Sequence, residues 1–394
     1  MRILVLGSDP DYLVNLRGDL IRQIVEQGGQ AIGAAPAPAD GPHAAAIRAM
    51  GAQFEPIAMV RNRITPTEDA QALRGLYQLM KRLKPDALFA YTIKPVIYGC
   101  TAARMARVPM ITALVPGLGY SFEGAGLKDR LRAMVVARMY RSALRTANAV
   151  FFQNTDDRQE FLRRGILTPA HRVVMLNGSG INLEKFQPAP LPSAPAFLWV
   201  GRLLKEKGLG EYIQAARLVR QKHPEAVFRV VGYHDGGPLD SCQDQLQAAV
   251  ASGDIEFVGR VKDVRPELAR CTAFVLPSYY REGVPRSALE ALAMGRAVVT
   301  TDWTGCRETV RSGADSNGFL LPVRNAAAVA EAVTQLVEQP GLAQRMGAAS
   351  RRYAEERFDV VRVNQVILDT IGLPRSSAAP ACSATPPGAA EVAR

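Results

Sequence analysis

Two rhythms alternate along the first half of this chain. Short apolar runs, RILVLG (2–7), ALFAY (87–91), PMITAL (109–114), AVFFQ (149–153) and RVVML (172–176), are separated by stretches of helical apolar spacing. A short apolar run bounded by turn formers reads as a strand buried on both faces. Behind the first run, Leu16, Leu20, Ile21, Ile24 and Val25 recur at helical intervals and Gly28-Gly29 ends the period. That spacing predicts an amphipathic helix. Strands alternating with helices predict a doubly wound parallel sheet.

The rhythm breaks at QPAPLPSAPA (187–196), where four of ten residues are proline, and a linker is expected there. It restarts with FLWVG (197–201), a helix over 208–222, FRVVG (228–232), IEFVG (255–259), AFVLP (273–277) and AVVTT (297–301). The expectation is an α/β protein of two Rossmann-like, doubly wound domains, 1–186 and 197–372, facing each other across a cleft. The last helix of the second domain could return to the first. The segment 373–394, rich in Ala, Pro and Ser and without an aromatic residue, is expected to be disordered.

A length of 394 residues suits two such domains. No apolar run approaches the roughly 18–20 residues that span a bilayer, and the N-terminus lacks a signal-peptide pattern. A cytoplasmic protein is expected. Five cysteines, an odd number without a CxxC pair, suggest reduced thiols, and four scattered histidines give no metal-ligand spacing. Asp9-Pro10-Asp11 spells a D-x-D metal motif, but its place after the first strand suits a helix start. No metal is expected.

Net charge is +11, and residues 1–190 hold 24 basic against 15 acidic side chains, the remainder 24 against 22. An anionic partner should therefore meet the first half: nucleic acid, a phospholipid surface or a phosphate-bearing substrate.

Two stretches carry candidate chemistry. GRLLKEKG (201–208) follows a predicted strand and sets Arg202 and Lys207 on one loop, a guanidinium fork and an ammonium that suit a diphosphate. In REGVPRSALEALAMG (281–295), Pro285 fits the first turn of a helix and Gly295 the position past its end. Glu282 then precedes the helix N-terminus, an anion site, and Glu290 follows it by about a turn. Carboxylates recognise vicinal hydroxyls. A nucleotide sugar offers hydroxyls, a diphosphate and ribose hydroxyls in that order.

With these motifs, "SYYREGVPRSALEALAMGRAVVTTD" and "GFLLPV", the second half resembles the C-terminal domain of family-4 retaining glycosyltransferases of the GT-B fold. Two glutamates with seven residues between them mark that family. "YTIKPVIYG" (91–99), "PGLGYSF" (116–122), "FFQNTDD" (151–157) and "GSGINLEKF" (178–186) resemble a bacterial branch that builds polyprenyl-diphosphate-linked glycans. The resemblance implies that Arg202 and Lys207, beside Gly201, hold and stabilise the donor diphosphate. It implies Glu282 on the donor hexose, the backbone N–H groups of Val284 and Arg286 with Gly283 and Ser287 at the distal phosphate, Glu290 on the ribose, and Val261 near the nucleobase. It implies a UDP-sugar as substrate, no further cofactor, a lipid-linked glycan acceptor, and no nucleic acid. Lys94, Gly119 and Tyr120 are the candidates for the acceptor.

The chain departs from the family in two places. Its first turn, Gly7-Ser8-Asp9, has a single glycine, and no histidine lies between residues 44 and 170, where many members carry one near the reacting sugar. The segment 126–146 predicts a basic amphipathic helix with Lys128, Arg130, Arg132, Arg138, Arg141 and Arg145 among Leu127, Leu131, Met134, Val135, Met139 and Leu144. It suits an anionic membrane surface or a core-packed helix with solvated arginines. Two alternatives stand beside a transferase. A UDP-sugar epimerase of the same fold would need acid–base groups from both domains, and a non-catalytic nucleotide-sugar-binding subunit would not need the four charged residues intact.

Overall fold

A computed structural model describes residues 1–60, 65–122, 124, 126–234 and 242–374, with the backbone alone for Tyr120 and Ser121. All ten expected strands form. The first sheet comprises β1 (Arg2–Leu6), β2 (Gln30–Ala35), β3 (Gln53–Pro56), β4 (Ala87–Tyr91), β5 (Met110–Val115), β6 (Ala149–Phe152) and β7 (Val173–Met175). The second comprises β8 (Ala196–Arg202), β9 (Val227–Tyr233), β10 (Glu256–Gly259), β11 (Ala273–Leu276), β12 (Ala297–Thr301) and β13 (Gly318–Leu321). Every pairing is parallel, in the orders β3-β2-β1-β4-β5-β6-β7 and β10-β9-β8-β11-β12-β13. The direction of winding reverses at β1/β4 and at β8/β11, and ligands of such sheets bind outside the carboxyl ends at that point.

Three strands escape the apolar-run criterion. β2 (QAIGAA) has one large apolar residue, while β3 and β13 are four-residue strands at the edges of their sheets. At β13 a Cβ on Gly318 would fall 1.8 Å from the Val298 carbonyl oxygen, so the strand docks only with glycine there.

The domain boundary differs from the expected one. Ile181 and Phe186 belong to the core of the second domain, so the chain has crossed before the proline-rich segment begins. It crosses back beside the same point: Ile181 pairs with Asp359, the Ile181 N–H donates to the Phe358 carbonyl at 2.7 Å, and Val360 N–H donates to that of Ile181 at 3.0 Å. The final helix, Val360–Ile371, then packs on the first domain, burying Ile367, Leu368 and Ile371 against Leu20, Ile21 and Ile24. Leu373 is buried in the same core, so the expected disordered tail does not begin at 373; its residues 375–394 lie outside the described residues.

Two consequences follow for stability. The first domain lacks part of one face without a helix contributed from the far end of the chain, and truncating that helix's side chains leaves a cavity. Leu368→Ala is expected to lower the unfolding free energy by about 2–5 kcal/mol and to reduce the urea midpoint. An unchanged midpoint would show that the returning helix is dispensable to the first core.

Candidate active site

The site grows from the switch point of the second sheet. Arg202 ends β8, and the chain turns through one helical turn, Lys205–Lys207, into Gly208 at φ 74°. A Cβ on Gly208 would lie 2.1 Å from the Pro277 carbonyl oxygen, so close backbone approach and left-handed conformation both require glycine. The Trp199 indole N–H donates to the Lys207 carbonyl at 3.1 Å, and Tyr279 N–H donates to that of Glu206 at 2.8 Å. These bonds press the Lys207 loop onto the loop that follows β11.

The result is a direct pair. Lys207 Nζ donates to both carboxylate oxygens of Glu282, at 2.7 and 2.6 Å, and Ser278 Oγ adds a contact at 3.3 Å. The side chains are 11% and 15% exposed. The Tyr280 ring lies beneath both cations, 5.6 Å from the Arg202 guanidinium carbon and 5.5 Å from Lys207 Nζ. Its hydroxyl is pushed up, chiefly by burial, against the pull of Arg202. Two cations, a carboxylate and the face of a ring thus converge at the β8/β11 carboxyl ends. A buried pair of this kind adds little net stability, whereas leaving one partner unpaired costs about 3–5 kcal/mol. Its place at the switch point argues for chemistry.

The helix Arg286–Ala293 begins beside this pair. Pro285 is its N-cap, with extended ψ, and not a member of the first turn as expected. Ser287 Oγ donates to the Val200 carbonyl at 3.2 Å, tying the helix start to β8. Arg286 Nε donates to Glu290 at 3.2 Å, and its Nη1 to the Gly180 carbonyl at 2.7 Å. Burial raises the Glu290 carboxyl above the usual carboxylate range, and Arg286 opposes it. Gly201 pairs with Gly232 in β9, where a Cβ on Gly232 would meet the Gly201 carbonyl oxygen at 2.5 Å. Val261 packs half-buried against the second core.

Two further expectations change. The Val284 N–H, assigned above to a phosphate, donates to Gln153 Oε1 of the first domain at 3.2 Å. Lys94, assigned to the acceptor, is 8% exposed and pairs with Asp69 at 2.6 Å, so its charge is answered inside its own domain. The Tyr98 hydroxyl is pushed up by burial and by its bond to that carboxylate. Gly119, at φ 48°, donates its N–H to the Arg281 carbonyl at 2.8 Å, beside the Glu282 loop. The side chain of Tyr120 lies outside the described residues.

The sequence did not single out Arg17. It is 1% exposed, its guanidinium carbon 5.5 and 5.1 Å from the Phe89 and Tyr91 rings, and its Nε and Nη1 have no hydrogen-bond partner. Burial pushes it down to about 10, which leaves it a cation at neutral pH. The D-x-D residues are engaged by side chains and a helix end: Asp9 caps the Pro10–Asn15 helix, and Asp11 bonds His43 at 2.9 Å and Arg260 of the second domain at 3.3 Å. No cluster of metal-ligating side chains occurs among the described residues.

The helix Leu127–Leu144 buries Ala133, Val136, Ala137, Tyr140, Ala143 and Leu144. Leu127, Leu131, Met134 and Val135 point outward, 85%, 59%, 66% and 45% exposed. Lys128, Arg130, Arg132, Arg138, Arg141 and Arg145 are all exposed. Arg132 pairs with Asp129 at 3.0 Å, and Arg141 donates to the Arg164 and Gly165 carbonyls.

Residues 17–178 match the Glycosyl transferase 4-like domain, and residues 182–353 match the family described as Glycosyl transferases group 1. The N,N'-diacetylbacillosaminyl-diphospho-undecaprenol alpha-1,3-N-acetylgalactosaminyltransferase of Campylobacter jejuni is 31% identical over 281 residues, covering 68% of this chain and 72% of that protein. The chain is a group 1 glycosyltransferase. An Escherichia coli enzyme, UDP-Gal:alpha-D-GlcNAc-diphosphoundecaprenol alpha-1,3-galactosyltransferase, is 26% identical over 314 residues, 76% of this chain and 78% of that one. Anabaena HepE, solved in complex with UDP-glucose, matches this glycosyltransferase with a TM-score of 0.75 over 94% of this chain and 99% of HepE, at 20% identity. That likeness shows the fold, GT-B, with two Rossmann-like domains.

One titration tests the packing beneath this site. Asp157, fully buried near Asn154 and Arg281, is raised to about 6 by burial, against the bond from Asn154. Its folded value exceeds the unfolded value of about 3.9, so the folded chain takes up the proton first. Stability from this group is therefore greatest at low pH, falls between about 4 and 6, and is lowest above 6, by on the order of 2–3 kcal/mol. In Asp157→Asn that dependence should vanish. The stability difference between variant and wild type, followed by denaturant unfolding, should shift in the variant's favour from pH 4 to 7; a constant difference would contradict the assignment.

Proposed function

We propose that this glycosyltransferase moves a hexose or N-acetylhexosamine, with retention, from a UDP-sugar to a polyprenyl-diphosphate-linked acceptor in surface-polysaccharide or glycan assembly. The observation that carries the proposal is the convergence of Arg202, Lys207 and Glu282 at the β8/β11 carboxyl ends, beside the N-terminus of the Arg286–Ala293 helix. Relatives whose names specify undecaprenyl-diphosphate-linked acceptors, and one whose name specifies UDP-Gal, support the substrate classes.

The chemistry follows from the charges. Arg202 and Lys207 would meet the diphosphate and stabilise it as it leaves, which is where preorganised positive charge accelerates transfer most. A diphosphate drawing on Lys207 releases carboxylate lone pairs of Glu282, which can then accept hydroxyls of the donor hexose. Glu290, a turn further along, would meet the ribose, and the Val261 loop the base. Both Glu282 oxygens accept from Lys207, which suits an anchoring carboxylate better than a covalent nucleophile. Front-face attack, assisted by the leaving phosphate, is the mechanism this favours. Positive side chains take the place a divalent ion would otherwise fill, so the reaction is expected to need neither metal nor cofactor.

The outward stripe Leu127, Leu131 and Met134, flanked by Lys128, Arg130, Arg138 and Arg145, is proposed to rest in an anionic headgroup layer. No described helix is long and apolar enough to cross a membrane. A peripheral enzyme on the cytoplasmic face, where nucleotide sugars and lipid-linked acceptors meet, is the arrangement proposed.

Two experiments test the proposal. Incubated with a panel of UDP-sugars and bacterial membrane extract in EDTA, the wild type should release UDP and extend a glycolipid, with an α-linkage by NMR if the donor is α-configured. Glu282→Gln, which spares Lys207 an unpaired burial, should lower transfer at least a hundredfold with UDP affinity nearly unchanged. Full transfer by that variant would remove Glu282 from the mechanism. Separately, Leu131→Ser combined with Met134→Ser, and neutralisation of Arg130 and Arg138, should each reduce pelleting with phosphatidylglycerol vesicles severalfold; unchanged pelleting would refute the interfacial helix.

A further inference from the structure

The motif FFQNTDD (151–157) takes no part in the mechanism above, yet its side chains reach across the domain boundary to the loop that carries Glu282. Gln153 and Asn154 follow β6 directly and are buried. Gln153 Oε1 accepts the Val284 N–H at 3.2 Å, and its Nε2 donates to Ser179 Oγ at 3.3 Å. Asn154 caps the helix Thr155–Arg163, its Oδ1 accepting from Asp157 N–H at 2.8 Å. Its Nδ2 donates to the Asp157 carboxylate at 2.9 Å and to the Glu282 carbonyl at 3.3 Å. Both ends of each amide are engaged. Turning the Gln153 amide over would set donor against donor at Val284, so its orientation is fixed by its partners.

The same loop receives a third bond from the first domain, Gly119 N–H to the Arg281 carbonyl at 2.8 Å. The backbone at 281, 282 and 284 is thus held from the opposite domain, while the Glu282 carboxylate is held by Lys207 and Ser278 of its own. A side chain is oriented by its Cα, and here the contacts on both sides of that Cα come from across the boundary.

We propose that Gln153 and Asn154 are positioning residues for the donor sugar, fixing the Glu282 backbone so that its carboxylate is aimed while the two domains are docked. This rests on the assignment of Glu282 to the donor hexose. The acceptor-binding half thereby sets the geometry of the donor-binding half, and a displacement of about 1 Å at such a group lowers turnover on the order of a hundredfold. The nucleotide is gripped elsewhere, so its affinity is insulated from the change.

The test separates aiming from folding and from the parent assignment. Gln153→Leu removes the acceptor at similar size. Asn154→Ser keeps a cap for the helix but loses the amide donor. Turnover is measured with whichever of UDP-glucose, UDP-galactose, UDP-N-acetylglucosamine or UDP-N-acetylgalactosamine the wild type transfers, and UDP binding by calorimetry. Both variants should lose roughly tenfold to a hundredfold in kcat, with Kd for UDP within about twofold and the melting temperature within a few degrees. Gln153→Glu, which restores an acceptor that Ser179 can also serve, should recover most of kcat. In a Glu282→Gln background neither change should lower kcat further, because both act through that residue. Normal turnover in Asn154→Ser and Gln153→Leu, with Glu282→Gln inactive, would overturn the positioning role and leave Glu282 in place. A fully active Glu282→Gln would overturn the assignment beneath it. Equal losses of kcat and UDP affinity, unrelieved by Gln153→Glu, would mark the pair as structural and overturn the proposal.

Discussion

Everything at the candidate site depends on how closely three backbones approach at Gly283. A Cβ there would lie 2.0 Å from both the Pro116 carbonyl oxygen and Gln153 Oε1. A Cβ on Gly117, at φ 147°, would fall 2.6 Å from the Gly283 nitrogen, and one on Gly305, at φ 78°, 1.5 Å from the Gly283 carbonyl oxygen. Contacts this short cannot be relieved by a rotamer change, because the facing atoms are largely main chain. The Glu282 loop is therefore pressed between the first domain and the loop after β12, and only glycine permits it. Burial of the Lys207–Glu282 pair follows from that pressing.

The charges then sort into two systems of different character. Within the cleft, Lys207 answers Glu282 and Arg286 answers Glu290, and Arg202 lies over the Tyr280 ring. In partly buried surroundings at an effective dielectric near 20, a unit pair at 4 Å interacts by about 4 kcal/mol, against about 1 in water. Rearranging these pairs is thus a large effect. The basic surplus of residues 1–190 lies partly elsewhere, on the exposed face of the Leu127–Leu144 helix. There salt screens it within roughly 8–10 Å, which suits a surface met at contact distance.

What the sequence reveals is what is local. Apolar runs gave ten strands because most are buried on both faces, β7 and β10 being partly exposed, and the two motifs brought out Arg202, Lys207, Glu282 and Glu290 because each group sits within one strand–loop–helix unit. β2 was missed because small residues fill it, and β13 because its defining contact, Gly318 on Val298, is between strands. Lys94 read as a strand-end cation, but its partner Asp69 is 25 positions away. Gln153 and Asn154 touch residues 131 and 128 positions away, a relation no periodicity encodes. On the basic helix the apolar period marked the outward stripe, while half of the buried residues are alanine, too small to register as a hydrophobic face.

The crossing segment joins these observations. Gly178 stands against Val284 and Leu289, where an added Cβ would meet both at 3.1 Å, and the Gly180 carbonyl accepts from Arg286. One residue further, Ile181 bridges to Asp359 at the only place where the described chain both leaves and re-enters the first domain. The crossing between the domains therefore touches the first turn of the Arg286–Ala293 helix directly. The Gly180 carbonyl bears through Arg286 on the environment of Glu290, while the far contacts at Gln153 and Asn154 act on the Glu282 loop. Contacts from the first domain and from the crossing segment thus bear on the surroundings of both Glu282 and Glu290.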